Sequence, residues 1–252
     1  MGQRLFDLER MRTASRRRNL AAMNRTHVSP TRLRVAAGIF VLAALVNLSG
    51  LLIPTPSMNG SGSEALRDAA TNLTALRVST VHDLVFAAAT CLVCLVAVTL
   101  PAGRGAVLTF VGAAIAVVAN LFHGAAVSIQ FIQADMAQAG LDPTQMAALY
   151  DRIDNDQWMG ATLVPLIFLF PLGMIVLTLG LWRSRLVPLW ALAPAVLATV
   201  AEIAHVPNTE HVVAVLAPIT SVIIAGSLIM LSRRRATVRT TPAAAGARPD
   251  LV

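Results

Sequence analysis

The chain has 252 residues, of which 56% are hydrophobic and only 13% charged, where a soluble domain carries about a quarter charged residues. That deficit excludes an ordinary water-soluble domain and points to a membrane protein. The net charge of +7 comes entirely from arginine, with no lysine present, and it crowds at the tails, so it reads as a topology signal and not as a nucleic-acid surface.

The arginine usage, with the richness in Ala and Val, suggests a high-GC bacterial genome. Two cysteines exclude a disulfide framework. Residues 1–34 form a basic segment in which Leu5, Leu8 and Met11 lie among arginines, a pattern suited to the anionic inner leaflet of a bilayer.

Six apolar windows of about 19 residues then predict transmembrane helices, at about 35–54, 82–100, 106–127, 160–181, 187–205 and 211–231. Ser29-Pro30 suits an N-cap followed by proline at the first helical position. The first window has no A-x-A cleavage pattern, so it is read as a retained span and not a signal peptide. The loop before the second span carries Leu66, Ala69, Ala70, Leu73 and Leu76 at helical spacing behind Ser63. The loop after the third opens with Asp142-Pro143-Thr144-Gln145, a capping-box pattern, followed by Met146, Leu149, Tyr150 and Ile153 on one face. Both loops are expected to form short amphipathic helices over one end of the bundle. Residues 236–252 are expected to be disordered. The predicted organisation is a cytoplasmic segment 1–34, an all-α six-span domain 35–231 and a tail 232–252.

With both termini in the cytoplasm, 17 of the 20 arginines fall on the inner side, and only Arg67, Arg77 and Arg152 fall outside. This strong bias sets the expected orientation in a bacterial inner membrane. Trp182 and Trp190 then sit at the inner interface and Trp158 at the outer one.

Ionisable groups inside a span cost about 2.5–3.5 kcal/mol at the helix centre on insertion scales and are functional candidates by default. In this orientation His82 and Asp83 open the second span at its outer end, Asn120 and His123 lie near the outer end of the third, and Glu202 and His205 close the fifth. Residues three and four apart share a helix face. The pairs Asn120/His123 and Glu202/His205, and the stripe Asp83, Ala87, Thr90, Cys94, are therefore expected to turn inward around an outward-open polar pocket. Glu210 and His211 open the sixth span at the same end.

Glu-x-x-His on a helix is a metal-ligand spacing, and His123, Glu202 and His205 would suit zinc or iron. A His–Asp dyad can instead relay protons. The bland reading is that these groups pair with each other or with backbone and hold the bundle together. A bis-His haem between His82 and His123 fits poorly with a chain that is 5% aromatic. Cys91-x-x-Cys94 has no second dithiol to relay electrons to and reads as two small apolar side chains. Phosphate-binding glycine loops, H-E-x-x-H and G-x-S-x-G are absent.

The stretches "RVAAGIFVLAALVNLSGLL", "TVHDLVFAAATCLV" and "LDPTQMAALYDRIDNDQWMGATLVPLIFLFPLGMIVLTLGLWRSRLVPLWALAP", in that order, resemble a group of bacterial six-helix integral membrane proteins carrying a domain of unknown function. The resemblance covers about residues 35–231. It implies a fold and no reaction, cofactor or site residue.

The leading functional expectation is a non-enzymatic protein that binds or moves a small solute or proton through the outer polar pocket. The alternative is a metal-dependent membrane enzyme, with His123, Glu202 and His205 as ligands and Asp83 as acid or base. A third reading is a structural or accessory membrane subunit. Expected partners are the lipid bilayer, anionic lipid at the basic N-terminal segment and the small solute or proton, with no nucleic acid.

Overall fold

The computed structural model describes residues 28–53, 61–101, 103–204 and 209–240. The expectations for the 1–27 segment and for residues 241–252 lie outside them. Among the described residues the chain is helical throughout, with no strand. Helix α1 (Pro30–Ser49) begins as expected, with the Arg32 N–H donating to Ser29 Oγ at 3.3 Å and Pro30 in the first turn. It tightens into a 3₁₀ turn over Gly50–Leu52. There follow α2 (Gly62–Thr71), α3 (Leu73–Ala97), α4 (Arg104–Gln138), α5 (Pro143–Asp154), α6 (Gln157–Arg183), a 3₁₀ turn at Leu189–Leu192, α7 (Ala193–Ile203) and α8 (Thr209–Thr240).

Among the described residues, four stretches are long and apolar enough to cross a membrane: Pro30–Leu52, Leu73–Ala97, Arg104–Gln138 and Ala214–Thr237. Large apolar side chains on them face outward, among them Leu45, Leu95, Val107, Phe110, Leu121 and Met230. An apolar surface of this extent suits lipid and not water.

The helices differ from the predicted windows in ways the packing explains. Helix α3 begins at Leu73, nine residues before its predicted window, because Leu76 packs with Ala69 of α2 and Ala134 of α4. Helix α4 has 35 residues, about 52 Å at 1.5 Å per residue, against a hydrocarbon core of about 30 Å. Its last turns leave the apolar bundle to meet α2 and α5, where Ala65 and Leu66 pack with Tyr150, Met136 and Met146. These three elements form a cap over one end.

The cap helix α2 starts at Ser61, not Ser63: the Ser61 N–H donates to Glu64 Oε2 at 3.0 Å. Asp151 of α5 accepts from the Gly62 N–H at 2.6 Å, tying the two cap helices together at a helix N-terminus. Leu149, expected on the packed face of α5, is exposed, while Tyr150 is 4% exposed. Helix α8 runs through Arg233, Arg234 and Arg235 to Thr240, so residues 236–240 are helical.

The most extensive packing in the bundle joins α4 to α6. Glycines on each helix let the two backbones touch. A Cβ at Gly112 would lie 2.7 Å from Gly173 O and Leu177 Cα, and one at Gly173 would lie 2.6 Å from Ala116 N. A Cβ at Gly105 would strike Ser184 and Gly180, and one at Gly180 would strike Thr109. Positions 105, 109, 112 and 116 thus run antiparallel against 184, 180, 177 and 173, all small except Leu177, as membrane helix pairs prefer.

Helix α6 ends in a left-handed turn at Arg185 (φ 58), with the Arg185 N–H on Trp182 O and the Leu186 N–H on Leu181 O. That turn drives Leu186 and Val187 into the core with Leu33, Leu100 and Leu181. The antiparallel packing gathers Arg32, Arg34, Arg104, Arg183, Arg185 and Arg233–Arg235 at the end opposite the cap.

Gly112→Val meets backbone on both sides and is expected to cost more than the about 1–3 kcal/mol of ordinary overpacking. At Gly226 a Cβ would meet nothing within 4 Å, so Gly226→Ala is expected to gain up to about 1 kcal/mol of helix propensity. Thermal unfolding of the two variants in detergent checks the contrast, and equal melting temperatures would contradict the packing.

Candidate functional site

Helix α1 finishes by tightening, and this frees a carbonyl. The Gly50 N–H turns to Asn47 O and Leu48 O, which leaves Val46 O without its usual helical partner. Two side chains take its place. Ser49 Oγ donates to Val46 O at 2.7 Å, and His82 Nε2 of α3 lies 2.8 Å from the same oxygen. The second contact places the proton of the neutral ring on Nε2, because a carbonyl only accepts. His82 Nδ1 then faces Asp83 Oδ1 at 3.5 Å. The His82 and Asp83 side chains retain 15% and 30% of their exposure. A Cβ at Gly50 would come within 2.8 Å of His82 Cε1, so a side chain there would displace the ring.

Asp83 continues on α3 into the stripe Ala87, Thr90, Cys94, of which Thr90 and Cys94 are buried. Asn120 of α4 is buried against this stripe, its Nδ2 donating to Ala87 O at 2.6 Å and lying 3.7 Å from Cys91 Sγ. One helical segment toward the cap, the Thr80 hydroxyl donates to Gln130 Oε1 at 2.8 Å, and Arg77 donates to Gln138 at 3.2 Å. The register set by Ala87–Asn120 and Thr80–Gln130 puts His123 level with Leu84 and Val85, within one turn of Asp83. His123 is half-buried and makes no hydrogen bond to a described residue. Phe86 meets Phe170 of α6 edge-on, with ring centroids 6.1 Å apart.

The structure therefore joins His82 to Asp83 and Asn120 to the same stripe of α3, and sets His123 at their depth. Glu202 lies in the last turn of α7, but its side chain and all of His205 lie outside the described residues, as do the side chains of Glu210 and His211. The proposed ligand set of His123, Glu202 and His205 falls mostly there. Among the described residues no three His, Cys, Asp or Glu side chains come together as a metal site would require. Cys91 and Cys94 are both free thiols, with Cys94 packed in the main core.

Sequence reading missed two contributors. The carbonyl of Val46 has no signature in side-chain patterns. Gln133 was visible only as a polar residue at the end of a span. Gln133 is 1% exposed and donates to Ala65 O at 3.2 Å, which anchors the cap to α4.

The cap over this region carries its own charge pattern. The Ser61 N–H and hydroxyl hold the exposed Glu64 carboxyl below the usual range. Burial, helped by the charges of Asp154 and Asp151, raises the Tyr150 phenol above its ordinary value. Comparison with protein-family models, curated proteins and solved structures finds no match for this chain.

Tyr150 is the one tyrosine in the chain, so its ionisation is directly visible in ultraviolet difference absorbance. Its folded-state value is raised, so its contribution to the cap is complete below the unfolded value of about 10 and is lost as pH rises through the folded value. The phenol is expected to ionise above the ordinary range, and Asp154→Asn to lower that point. Titration at or below the ordinary value would contradict the buried placement.

Proposed function

We propose that this is a six-span membrane protein with both termini in the cytoplasm and the cap outside, and that it binds or moves a small solute or proton through the polar band formed by His82, Asp83, Asn120 and His123. The gathering of arginines at the end opposite the cap supports the orientation. In chain order, helix α6, with 27 residues, supports the fourth of the six crossings. The 3₁₀ turn of 4 residues plus the 11 residues of α7 cover about 24 Å, enough for a short fifth. Membership of the six-helix family noted above is part of this proposal and adds only the fold.

The observation that carries the functional reading is the position of the His82 ring. One nitrogen holds the end carbonyl of α1, and the other faces Asp83. The ring thus links the end of α1 to a carboxylate 3.5 Å away, the arrangement of a His–Asp pair that can pass a proton. A second reading, that the band only holds helices together, is supported by Asn120, whose amide is closed off by Ala87 O. Such bonds contribute about 0.6 kcal/mol on average and at most about 1.7 in membrane proteins.

Proton flux into vesicles containing the purified protein separates the two. The functional reading expects pH-driven flux above that of empty vesicles, lost in Asp83→Asn and His82→Gln, with Asn120→Leu lowering the melting temperature more than the flux. Wild-type vesicles indistinguishable from empty ones, for protons and for added small solutes alike, would sink it and leave the packing reading.

A further inference from the structure

At the end opposite the cap, α1 and α8 border an open groove of about 510 Å³. Its rim carries Arg34 from α1 and Arg233 from α8, and its walls are Ala37, Gly38, Val41, Ile229 and Ser232, whose hydroxyl donates to Ile229 O. We infer that this groove binds an anionic phospholipid, with the two guanidinium groups on the phosphate and the first part of an acyl chain along Gly38 and Val41. The inference rests on membrane residence and not on the proposed flux.

The two helices set up the same vertical order. Gly38 and Val41 lie four and seven residues after Arg34, so they continue its face of α1 toward the middle of the bundle. Ile229 lies four residues before Arg233 and does the same on α8. Each wall therefore has a cation at the rim and apolar surface one to two turns deeper, matching a headgroup above its chains. The floor is open at backbone level, because a Cβ on Gly38 would have nothing within 4 Å.

Charge selects the headgroup. No acidic residue lines the groove, and among the described residues neither Arg34 nor Arg233 has an ion-pair partner, the described ion pair being His82 with Asp83. Arg235 shows the contrast, since its guanidinium donates to Val28 O at 2.8 Å and is committed to holding the chain before α1. Two unpaired guanidinium groups facing one groove repel each other, and an anion between them removes that cost. Their planar forks match phosphate oxygens in pairs. Free phosphate would satisfy the arginines but has no use for the apolar walls, whereas a phospholipid uses both.

The test is native mass spectrometry of the full-length, detergent-purified protein, with phosphatidylglycerol, phosphatidylcholine and inorganic phosphate added in separate titrations. Phosphatidylglycerol is expected to bind in preference to phosphatidylcholine. The Arg34→Gln/Arg233→Gln variant is expected to weaken that binding roughly tenfold to thirtyfold, with phosphatidylcholine adducts unchanged and Arg234→Gln without effect. Where the double glutamine variant fails to fold, Arg34→Lys/Arg233→Lys replaces it, and it should lose part of the preference while keeping the charge.

Undiminished phosphatidylglycerol binding by either folded double variant would overturn the inference. Inorganic phosphate binding as tightly, with the same arginine dependence, would reassign the groove to a soluble anion. A dimer abolished by the double variant would reassign it to a second copy of this chain. Recovery of the protein in the soluble fraction of cells would contradict membrane residence itself, whereas a membrane-integrated protein with no headgroup preference contradicts the lipid site alone.

Discussion

The contact on which the rest of the bundle depends is the antiparallel seam between α4 and α6. Gly105 and Gly112 on one helix and Gly173 and Gly180 on the other remove every Cβ that would hold the backbones apart. In lipid there is little hydrophobic gain from bringing two apolar helices together, so dispersion and close approach must do it. The seam fixes the height of α4, the longest helix, and so determines how far its final turns project. Those turns carry Gln133 and Met136, on which the cap is built. The same height sets Asn120 against Ala87 and thereby aligns α3.

Three polar side chains near the capped end each meet a backbone carbonyl of a neighbouring helix. Asn120 takes Ala87 O, Gln133 takes Ala65 O, and His82 takes the carbonyl that α1 releases by tightening at Gly50. An unsatisfied polar group in hydrocarbon costs several kcal/mol, so these bonds remove a penalty more than they add stability. His82 differs from the other two because its second ring nitrogen faces the carboxylate of Asp83. That difference singles it out within a band that otherwise reads as helix packing.

Much of this was legible in the residues. Apolar windows located α1, α3, α4 and the final helix, the Ser29-Pro30 and Asp142-Pro143 pairs marked helix starts, and the Leu66 and Tyr150 faces identified the cap helices. Arginine placement separated the two ends. What could not be read has physical reasons. Helix α3 starts early because tertiary contacts at Leu76 extend it past the apolar window. The cap of α2 is Ser61 because Glu64 reaches back to it, and two nearby serines look alike in sequence. The glycines at 105, 112, 173 and 180 are spaced for a seam, but spacing alone does not say which helix faces which. Val46 contributes through its backbone, which carries no residue signature. Glu202 and His205 were singled out by type and spacing, and their relation to His123 lies beyond the described side chains.

The proposed arrangement in the membrane depends on which end of the molecule faces the cytoplasm. The most direct measurement is labelling with a membrane-impermeant maleimide in intact bacterial cells, in a Cys91→Ser/Cys94→Ala background carrying either Ser63→Cys in the cap or Thr237→Cys near the end of α8. The account predicts that the cap position labels in intact cells and the α8 position only after the membrane is opened. The reverse pattern, or equal labelling of both in intact cells, would contradict it.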